Sequence, residues 1–327
     1  MIYPWQQNQF DRLMQAYQNG AMPHALLLTG LVGMGKVDFA RHVAKILLCD
    51  QSLVEACGRC SSCQWYDAGS HPDLIELTLQ DKSKVIKVDQ VRQLTEKMQK
   101  TAQGSYRVAL IFPADQMNSA ASNALLKTLE EPPGRCLIVL SAAQPQRLTA
   151  TIRSRCQQID FSAVDRCLSL DWLREQGYVE SAPLLLQHAY GAPLLVPHLH
   201  ESHYLDCRDR VFDLMVKGLM QQQDLISGVP SLIKLDLNLL LRAMLSIVCD
   251  LLKISFGVGS GDIVNVDRVE AMQQVGSCLQ AQPLMRFYSL LLQSKEEHDG
   301  GANLNVQLML ESLMLHWMNL KVSREVR

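Results

Sequence analysis

The chain has 327 residues, 48% of them hydrophobic and 20% charged, and its formal net charge at pH 7 is -2. This length allows two or three globular domains, and the near-neutral charge argues against a protein that wraps nucleic acid through bulk positive charge. The sequence shows no secretory signal pattern, and its apolar runs fall short of the roughly eighteen residues of a membrane span. We therefore expect a cytoplasmic protein.

The first 160 or so residues alternate short apolar runs with helical patterns, which is typical of an α/β domain with a parallel sheet. Apolar residues recur at helical spacing around residues 40–48, 91–98 and 121–125, and Asp89 is placed to cap the second of these helices. The predicted strands are residues 25–29, 73–79, 107–112 and 136–140, with 156–161 as a candidate fifth.

The turn after the first predicted strand reads Gly30-Leu-Val-Gly33-Met-Gly35-Lys36-Val37. Glycines at these positions let backbone N–H groups converge on phosphate oxygens at a helix start, and the lysine adds a positive charge. A working P-loop ends in Ser or Thr, whose hydroxyl binds Mg²⁺, whereas Val37 has no hydroxyl. The turn indicates descent from a P-loop protein and leaves present-day nucleotide binding open.

A P-loop ATPase also needs an acidic residue at the end of a later strand, where it holds Mg²⁺. The predicted strand at 107–112 runs instead into Phe112-Pro113-Ala114. The nearest acid, Asp115, lies beyond the proline. Because both protein ligands to the metal are missing, we expect the chain to hydrolyse little or no ATP.

Three of the ten cysteines, Cys57, Cys60 and Cys63, lie within seven residues, and Cys49 precedes them by eight positions. Four thiolates complete a tetrahedral structural Zn²⁺ site and leave no open position for catalysis. His71 is an alternative fourth ligand, an iron–sulfur cluster is an alternative occupant, and reduced surface thiols are the plainest interpretation. The spacing favours structural zinc bound by the four cysteines.

Two further segments stand near the end of the α/β half: NALLKTLEEPP at residues 123–133 and SRC at residues 154–156. Taken alone, the first is an amphipathic helix stopped by two prolines, and the arginines near the second are ordinary solvated charges. Taken together, they resemble the clamp-loader branch of the AAA+ family. The P-loop and the four cysteines are similar to that branch as well.

The resemblance implies three domains. Residues 1–162 would form the AAA+ P-loop-type α/β module, with the zinc-binding element inserted at about 49–63. After residue 161 the pattern is helical, and its breaks divide it into residues 163–207 and 208–327. These correspond to a small helical lid and a C-terminal all-α collar domain.

The resemblance also implies a five-membered open ring, with motor subunits of the gamma/tau type and a delta subunit, that loads a sliding clamp onto primer-template DNA. In that family the SRC arginine, here Arg155, reaches the γ-phosphate of ATP held by the adjacent motor subunit. Such an arginine supplied in trans contributes roughly 10³–10⁵ in rate. Motor subunits carry a nucleotide-sensing arginine where this chain places Leu194. The degraded nucleotide site therefore implies a member without catalytic activity of its own.

Two other hypotheses remain open from the residues. One alternative is an ATP-hydrolysing motor subunit that functions despite Val37. ATP turnover by the isolated chain would indicate this class. A third hypothesis is a zinc-bearing nucleic-acid-binding protein with a vestigial P-loop. Tight DNA binding with a steep salt dependence would indicate that class.

Overall fold

The computed structural model describes residues 1–51, 54–80, 83–162, 164–217, 225–276, 279–300 and 305–320. They form two compact units, Met1–Trp172 with Ala192–Leu194, and Leu173–Gly191 with Leu195–Arg327. The start of the expected lid, residue 163, lies outside the described residues, and the lid–collar boundary at 207/208 stays a prediction. None of the described helices is long and apolar enough to cross a membrane.

The first unit is built on a parallel sheet of five strands. They are β1 (Ala25–Thr29), β2 (Leu74–Leu77), β3 (Arg107–Ile111), β4 (Cys136–Ala142) and β5 (Gln157–Asp160). Their order is β2-β3-β4-β1-β5, and every pairing is parallel. β1, β3 and β4 are buried along their whole length, as expected of continuous apolar runs inside a parallel sheet. All five predicted strands are confirmed.

Helices precede, connect and follow these strands along the chain. They are α1 (Gln7–Gln18), α2 (Lys36–Leu48), α3 (Ser61–Asp67), α4 (Val88–Gln99), α5 (Ser119–Glu130), α6 (Ala150–Arg155) and α7 (Arg166–Glu175). Apolar residues of α4, α5 and α6 pack with the sheet in one continuous core. The carboxyl ends of parallel strands meet at one edge of a sheet, and in this class of fold that edge carries the binding site.

The predicted cap of α4 was wrong. The helix begins at Val88 with Lys87 as its N-cap, so Asp89 lies inside the first turn. Gln90 makes the capping contact instead, because its Oε1 accepts the backbone N–H of Lys87 at 2.9 Å. Asp89 keeps a favourable position near the positive end of the helix and pairs with Arg92 at 3.7 Å.

The described part of the second unit is helical, as the sequence predicts. Its helices are α8 (Ala182–His188), α9 (Leu195–Glu201), α10 (Tyr204–Phe212), α11 (Val229–Leu232), α12 (Leu237–Ser255), α13 (Val269–Gly276), α14 (Ala281–Asp299) and α15 (Val306–Met318). α12 supplies much of the core through buried Leu240, Met244 and Leu251. Trp317 of α15 is fully buried, and its indole N–H donates to the carbonyl oxygen of Met215 at 2.9 Å.

Candidate functional site

The glycine-rich turn joins β1 to α2 at the carboxyl edge of the sheet, where a P-loop would lie. Gly30, Gly33 and Gly35 have φ values of 132°, 87° and 77°, which lie in the region where a side chain causes strain. Gly35 is also the N-cap of α2, and Lys36 is the first residue of that helix. The strand, turn and helix that a P-loop requires are therefore all present.

The lysine of this turn is bound to the turn itself. Its Nζ donates to the carbonyl oxygens of Gly30 and Leu31, each at 2.7 Å. The Lys36 side chain is buried, and this burial lowers its pKa to about 8, while the Asp115 carboxylate acts in the opposite direction. The ammonium group that would contact a phosphate is thus already satisfied by backbone oxygens.

The N-terminal segment contacts the same turn from outside. The indole N–H of Trp5 donates to the carbonyl oxygen of Met34 at 3.1 Å, and Nε2 of Gln6 donates to the same oxygen at 2.9 Å. Met34 is 1% exposed as a result. The sequence analysis did not predict these contacts, because they join residues 28 and 29 positions apart.

An aromatic cluster completes this cover. The rings of Tyr3 and Trp5 stack with centroids 5.0 Å apart, and Trp172 packs edge-on against both. A Cβ atom at Gly35 would lie 2.6 Å from the Tyr3 ring, so the ring lies directly against the backbone at the start of α2. A hydrogen bond from the Tyr3 hydroxyl to Asp38 holds it there.

Leu194 reaches the turn from much later in the sequence. Its backbone N–H donates to the carbonyl oxygen of Gly33 at 3.1 Å. The contact brings this residue beside the P-loop, which is where the family resemblance expects a residue that senses nucleotide. Leucine has no charge to offer a phosphate.

The position after β3 lacks the acid of an ATPase. Phe112 stands there, and the Arg41 guanidinium lies 5.3 Å from the centre of its ring. Asp115 follows in a short 3-10 turn and is buried. Its Oδ2 accepts the backbone N–H groups of Ala143 and Gln144 at 3.1 and 2.7 Å. The nearest carboxylate therefore binds the backbone that follows β4, which is a structural role.

The four cysteines come together between α2 and α3. Cys49 ends α2 and Cys60 caps α3, and the sulfur atoms of all four cysteines lie within 4.8 Å of one another. The Cys49–Cys60 and Cys57–Cys63 sulfurs are each 4.0 Å apart. Ligands about 2.3 Å from a tetrahedral ion lie about 3.8 Å from each other, so the cluster has the dimensions to bind a metal ion.

Backbone groups support negative charge on the sulfurs of Cys49, Cys57 and Cys60, whereas burial raises the pKa of Cys63 to about 12. The N–H groups of Cys57, Cys60 and Cys63 each donate to the sulfur of another cysteine of the cluster at 3.4 Å. Hydrogen bonds from the backbone of Arg59 and Cys60 lower the pKa of Cys57 to about 6, which favours the thiolate that binds metals. His71, the alternative ligand, lies outside this group, and its Nδ1 accepts the backbone N–H of Asp73 at 3.1 Å.

Arg155 is the last residue of α6, on a helix rather than the loop that its flanking residues suggest. Its NH2 group lies 2.6 Å from Oε1 of Glu130, and its NH1 group donates to the carbonyl oxygen of Thr151 at 3.1 Å. The Arg155 side chain is 34% exposed. Arg153, two residues earlier, is exposed and offers a comparison for experiments.

Comparison with known proteins gives the family. A family model described as DNA polymerase III, delta subunit, matches residues 5–165, and one described as DNA polymerase III, delta subunit, C terminal, matches residues 203–319. The DNA polymerase III subunit delta' of Pseudomonas aeruginosa is 35% identical over 98% of this chain and 98% of that protein. The subunit delta' of Yersinia pestis is 32% identical over 96% of this chain and 95% of that protein.

Relatives named as the tau subunit match over a shorter stretch. The DNA polymerase III subunit tau of Escherichia coli is 38% identical over 148 residues, which are 45% of this chain and 23% of that protein. The matches with the delta' relatives of Pseudomonas aeruginosa and Yersinia pestis extend over almost the whole length of this chain. This difference favours a delta'-type chain over the motor-subunit hypothesis.

Proposed function

This chain belongs to the delta' subunit family of DNA polymerase III, and on that premise we propose that it acts in DNA replication as a clamp-loader subunit that does not hydrolyse ATP itself. Its contribution to hydrolysis would be Arg155, offered to ATP bound by a neighbouring subunit. The resemblance to the clamp-loader branch that residues 123–133 and 154–156 suggested is confirmed by these relatives.

A contrast between two parts of the first unit carries this proposal. The chain's own P-loop is closed by contacts within the chain, whereas the arginine of the SRC segment is partly exposed at the end of α6. A subunit that retains ATPase architecture without metal ligands can still serve catalysis through the edge that it presents to a neighbour.

We propose that the P-loop binds no nucleotide in the working protein. A phosphate would have to displace Lys36 from two carbonyl oxygens, and the Tyr3 ring already covers the backbone of Gly35. Val37 and Phe112 stand where the two Mg²⁺ ligands are needed, so a nucleotide that entered would lack its metal. These features support a P-loop that keeps its backbone conformation but does not bind nucleotide.

Arg155 would act in trans on the transition state of phosphoryl transfer. A guanidinium is planar and always charged, and its N–H groups match the oxygens of a phosphate. Charge supplied in this way offsets the negative charge that spreads over the transferring group. The proposed partners are gamma/tau-type motor subunits and a delta subunit in one ring, together with the sliding clamp and primer-template DNA that the complex handles.

We propose that the cysteine cluster holds one structural Zn²⁺ ion, which would fix the connection between α2 and α3. Four sulfur ligands leave no open position for a substrate, and the separations between the sulfurs fit a tetrahedral ion. Neighbouring contacts already join the two helices: Lys45 pairs with Asp67 at 2.6 Å, and the Tyr66 hydroxyl donates to the carbonyl oxygen of Arg41 at 2.7 Å. The ion would therefore stabilise a local fold and take no part in hydrolysis.

The proposed domain organisation remains an α/β module at 1–162, a lid at 163–207 and a collar domain at 208–327. A cytoplasmic location follows from the proposed role, since bacterial chromosomes are replicated in that compartment.

Reconstitution tests this function. Purified motor and delta subunits are mixed with and without this chain, and ATP hydrolysis is measured in the presence of the clamp and primed DNA. We expect the chain to co-purify with the complex and to raise its ATPase activity, while the chain alone neither binds nor hydrolyses ATP. Failure to assemble, or robust hydrolysis by the isolated chain, would contradict the proposal.

A further inference from the structure

The ends of α5 and α6 bring Glu130 and Arg155 into direct contact. The Arg155 NH2 group and Oε1 of Glu130 are 2.6 Å apart and form an ion pair. Each residue is the last of its helix, and the two lie 25 positions apart in the sequence. The contact is therefore a product of the fold and not of local sequence.

We propose that Glu130 is a positioning residue for Arg155, holding its guanidinium in the orientation in which it meets the phosphate of a neighbouring subunit. This inference rests on the proposed function of Arg155 and adds a second residue to that site. Glu130 would touch neither ATP nor the reacting atoms, and would act only through the arginine.

The backbones of both residues are held firmly. Leu129 and Ile152, which precede them on α5 and α6, are 1% and 0% exposed and belong to the same hydrophobic core. Pro132 and Pro133 end α5 just beyond Glu130. An arginine side chain on such a base still has several free torsions, and a second anchor near its tip removes most of that freedom.

The observed contacts leave the guanidinium free to bind a phosphate. An arginine has five N–H donors; the NH2 group lies against the Glu130 carboxylate as an ion pair and NH1 donates to the carbonyl oxygen of Thr151, which leaves the remaining N–H groups for a phosphate. Holding a catalytic group in its working geometry before the substrate arrives lowers the entropy lost in the reaction. Glu130 and Thr151 together supply that arrangement.

Stability of α5 does not account for a carboxylate at this position. The carboxyl end of a helix carries partial negative charge, so an acid in the last turn is electrostatically unfavourable. A pair whose side chains are 34% and 49% exposed also adds little to folding, because water screens it. Orientation of Arg155 is the effect that the pair can provide.

A double-mutant cycle in the reconstituted complex tests the proposal. Complexes carry Glu130→Gln, Arg155→Ala or both, and kcat and KM for ATP are measured with clamp and primed DNA present. We expect Arg155→Ala to lower kcat and Glu130→Gln to lose about half or more of the same activity, with KM nearly unchanged. The double variant should match Arg155→Ala, because Glu130 acts through the arginine.

Matched variants control for folding and for charge. Glu131→Gln removes an exposed carboxylate next along the chain and should leave kcat unchanged, and Glu130→Asp, which keeps the charge but shortens the reach, should give an intermediate kcat. Thermal melting and co-purification establish that each variant folds and assembles.

The outcomes separate this inference from the function on which it rests. If Arg155→Ala lowers kcat while Glu130→Gln equals the wild type, the positioning role is wrong and the proposed function stands. If Glu130→Gln lowers kcat further in the Arg155→Ala background, Glu130 acts by another route and the inference is also wrong. If Arg155→Ala has no effect, the proposed function of the arginine is wrong.

Discussion

The Nζ atom of Lys36 lies 2.7 Å from the carbonyl oxygen of Gly30, so the lysine of the P-loop binds the loop on which it stands. In a nucleotide-binding P-loop the same ammonium group would be directed at a phosphate. The glycine conformations are kept, yet the positive charge is satisfied internally. We therefore expect this chain to keep the fold of a P-loop protein without the chemistry of an ATPase.

Restoring one metal ligand should not create an ATPase. Val37→Thr returns a hydroxyl to the P-loop, but Phe112 still occupies the position after β3, and Asp115 stays bound to backbone N–H groups of Ala143 and Gln144. We expect no steady-state phosphate release from the isolated variant above that of the wild type, with any gain confined to nucleotide affinity. Clear ATP turnover by Val37→Thr alone would show that the missing hydroxyl, and not also the missing acid after β3, prevents hydrolysis.

The ion pair between Asp73 and Arg107 should be important for stability. Both side chains are buried, with NH2 of Arg107 2.6 Å from Oδ1 of Asp73, and removing one partner of such a pair leaves an uncompensated buried charge. We expect Arg107→Ala to lower the free energy of unfolding by about 3–5 kcal/mol, measured by urea denaturation. Arg92→Ala, which alters an exposed pair, should change it by less than about 1 kcal/mol.

The same pair predicts a pH dependence. Burial alone would raise the pKa of Asp73, but hydrogen bonds from Arg107 and from the backbone of Gly104 and Gln103 outweigh it and hold the pKa below its usual value. A carboxyl whose pKa is lower in the folded state contributes stability above its unfolded pKa, about 3.9, and loses it as pH falls through the folded value. Between about pH 5 and pH 2, the wild type should therefore lose more stability than Arg107→Ala.

The elements that apolar periodicity determines could be predicted from the sequence, and those that depend on distant contacts could not. The three central strands follow from runs such as residues 136–140, because a buried parallel strand is apolar on both faces, whereas the edge strands β2 and β5 are only partly buried. The cap of α4 was predicted wrongly as Asp89. The helix begins at Val88, and the Gln90 side chain accepts the backbone N–H of the N-cap residue Lys87.

The functional site likewise has parts that local sequence patterns predict and parts that depend on distant contacts. The turn with Lys36 and the four cysteines are local patterns, and the structure brings the four cysteine sulfurs close together. The cover formed by Tyr3, Trp5 and Trp172 joins residues about 170 positions apart, and nothing in the local sequence indicates it. Glu130 and Arg155 likewise meet only because α5 and α6 pack on one core.

The cysteine cluster should contain one zinc ion per chain, and elemental analysis of the purified protein checks this. The unfolded chain has no preformed metal site, so the free energy of metal binding adds to the free energy of folding. We expect a chelator to lower the melting temperature of the protein. Cys63→Ser should lower the zinc content, and it should lower the free energy of unfolding by several kcal/mol, on the order typical of structural sites. Cys167→Ser, at an exposed cysteine, should change neither. Iron in place of zinc, or no metal, would contradict the assignment.

ATP hydrolysis by the reconstituted complex, with Arg155→Ala in place of the wild-type chain, tests the central claim most directly. The facing site should lose on the order of a thousandfold in rate, so the complex should lose that site's share of its clamp- and DNA-stimulated activity. Arg155→Lys should recover little, because an ammonium lacks the planar fork of a guanidinium, and the neighbouring Arg153→Ala should hydrolyse ATP like the wild type. Unchanged hydrolysis by an assembled Arg155→Ala complex would contradict the account and make Arg155 an ordinary solvated charge.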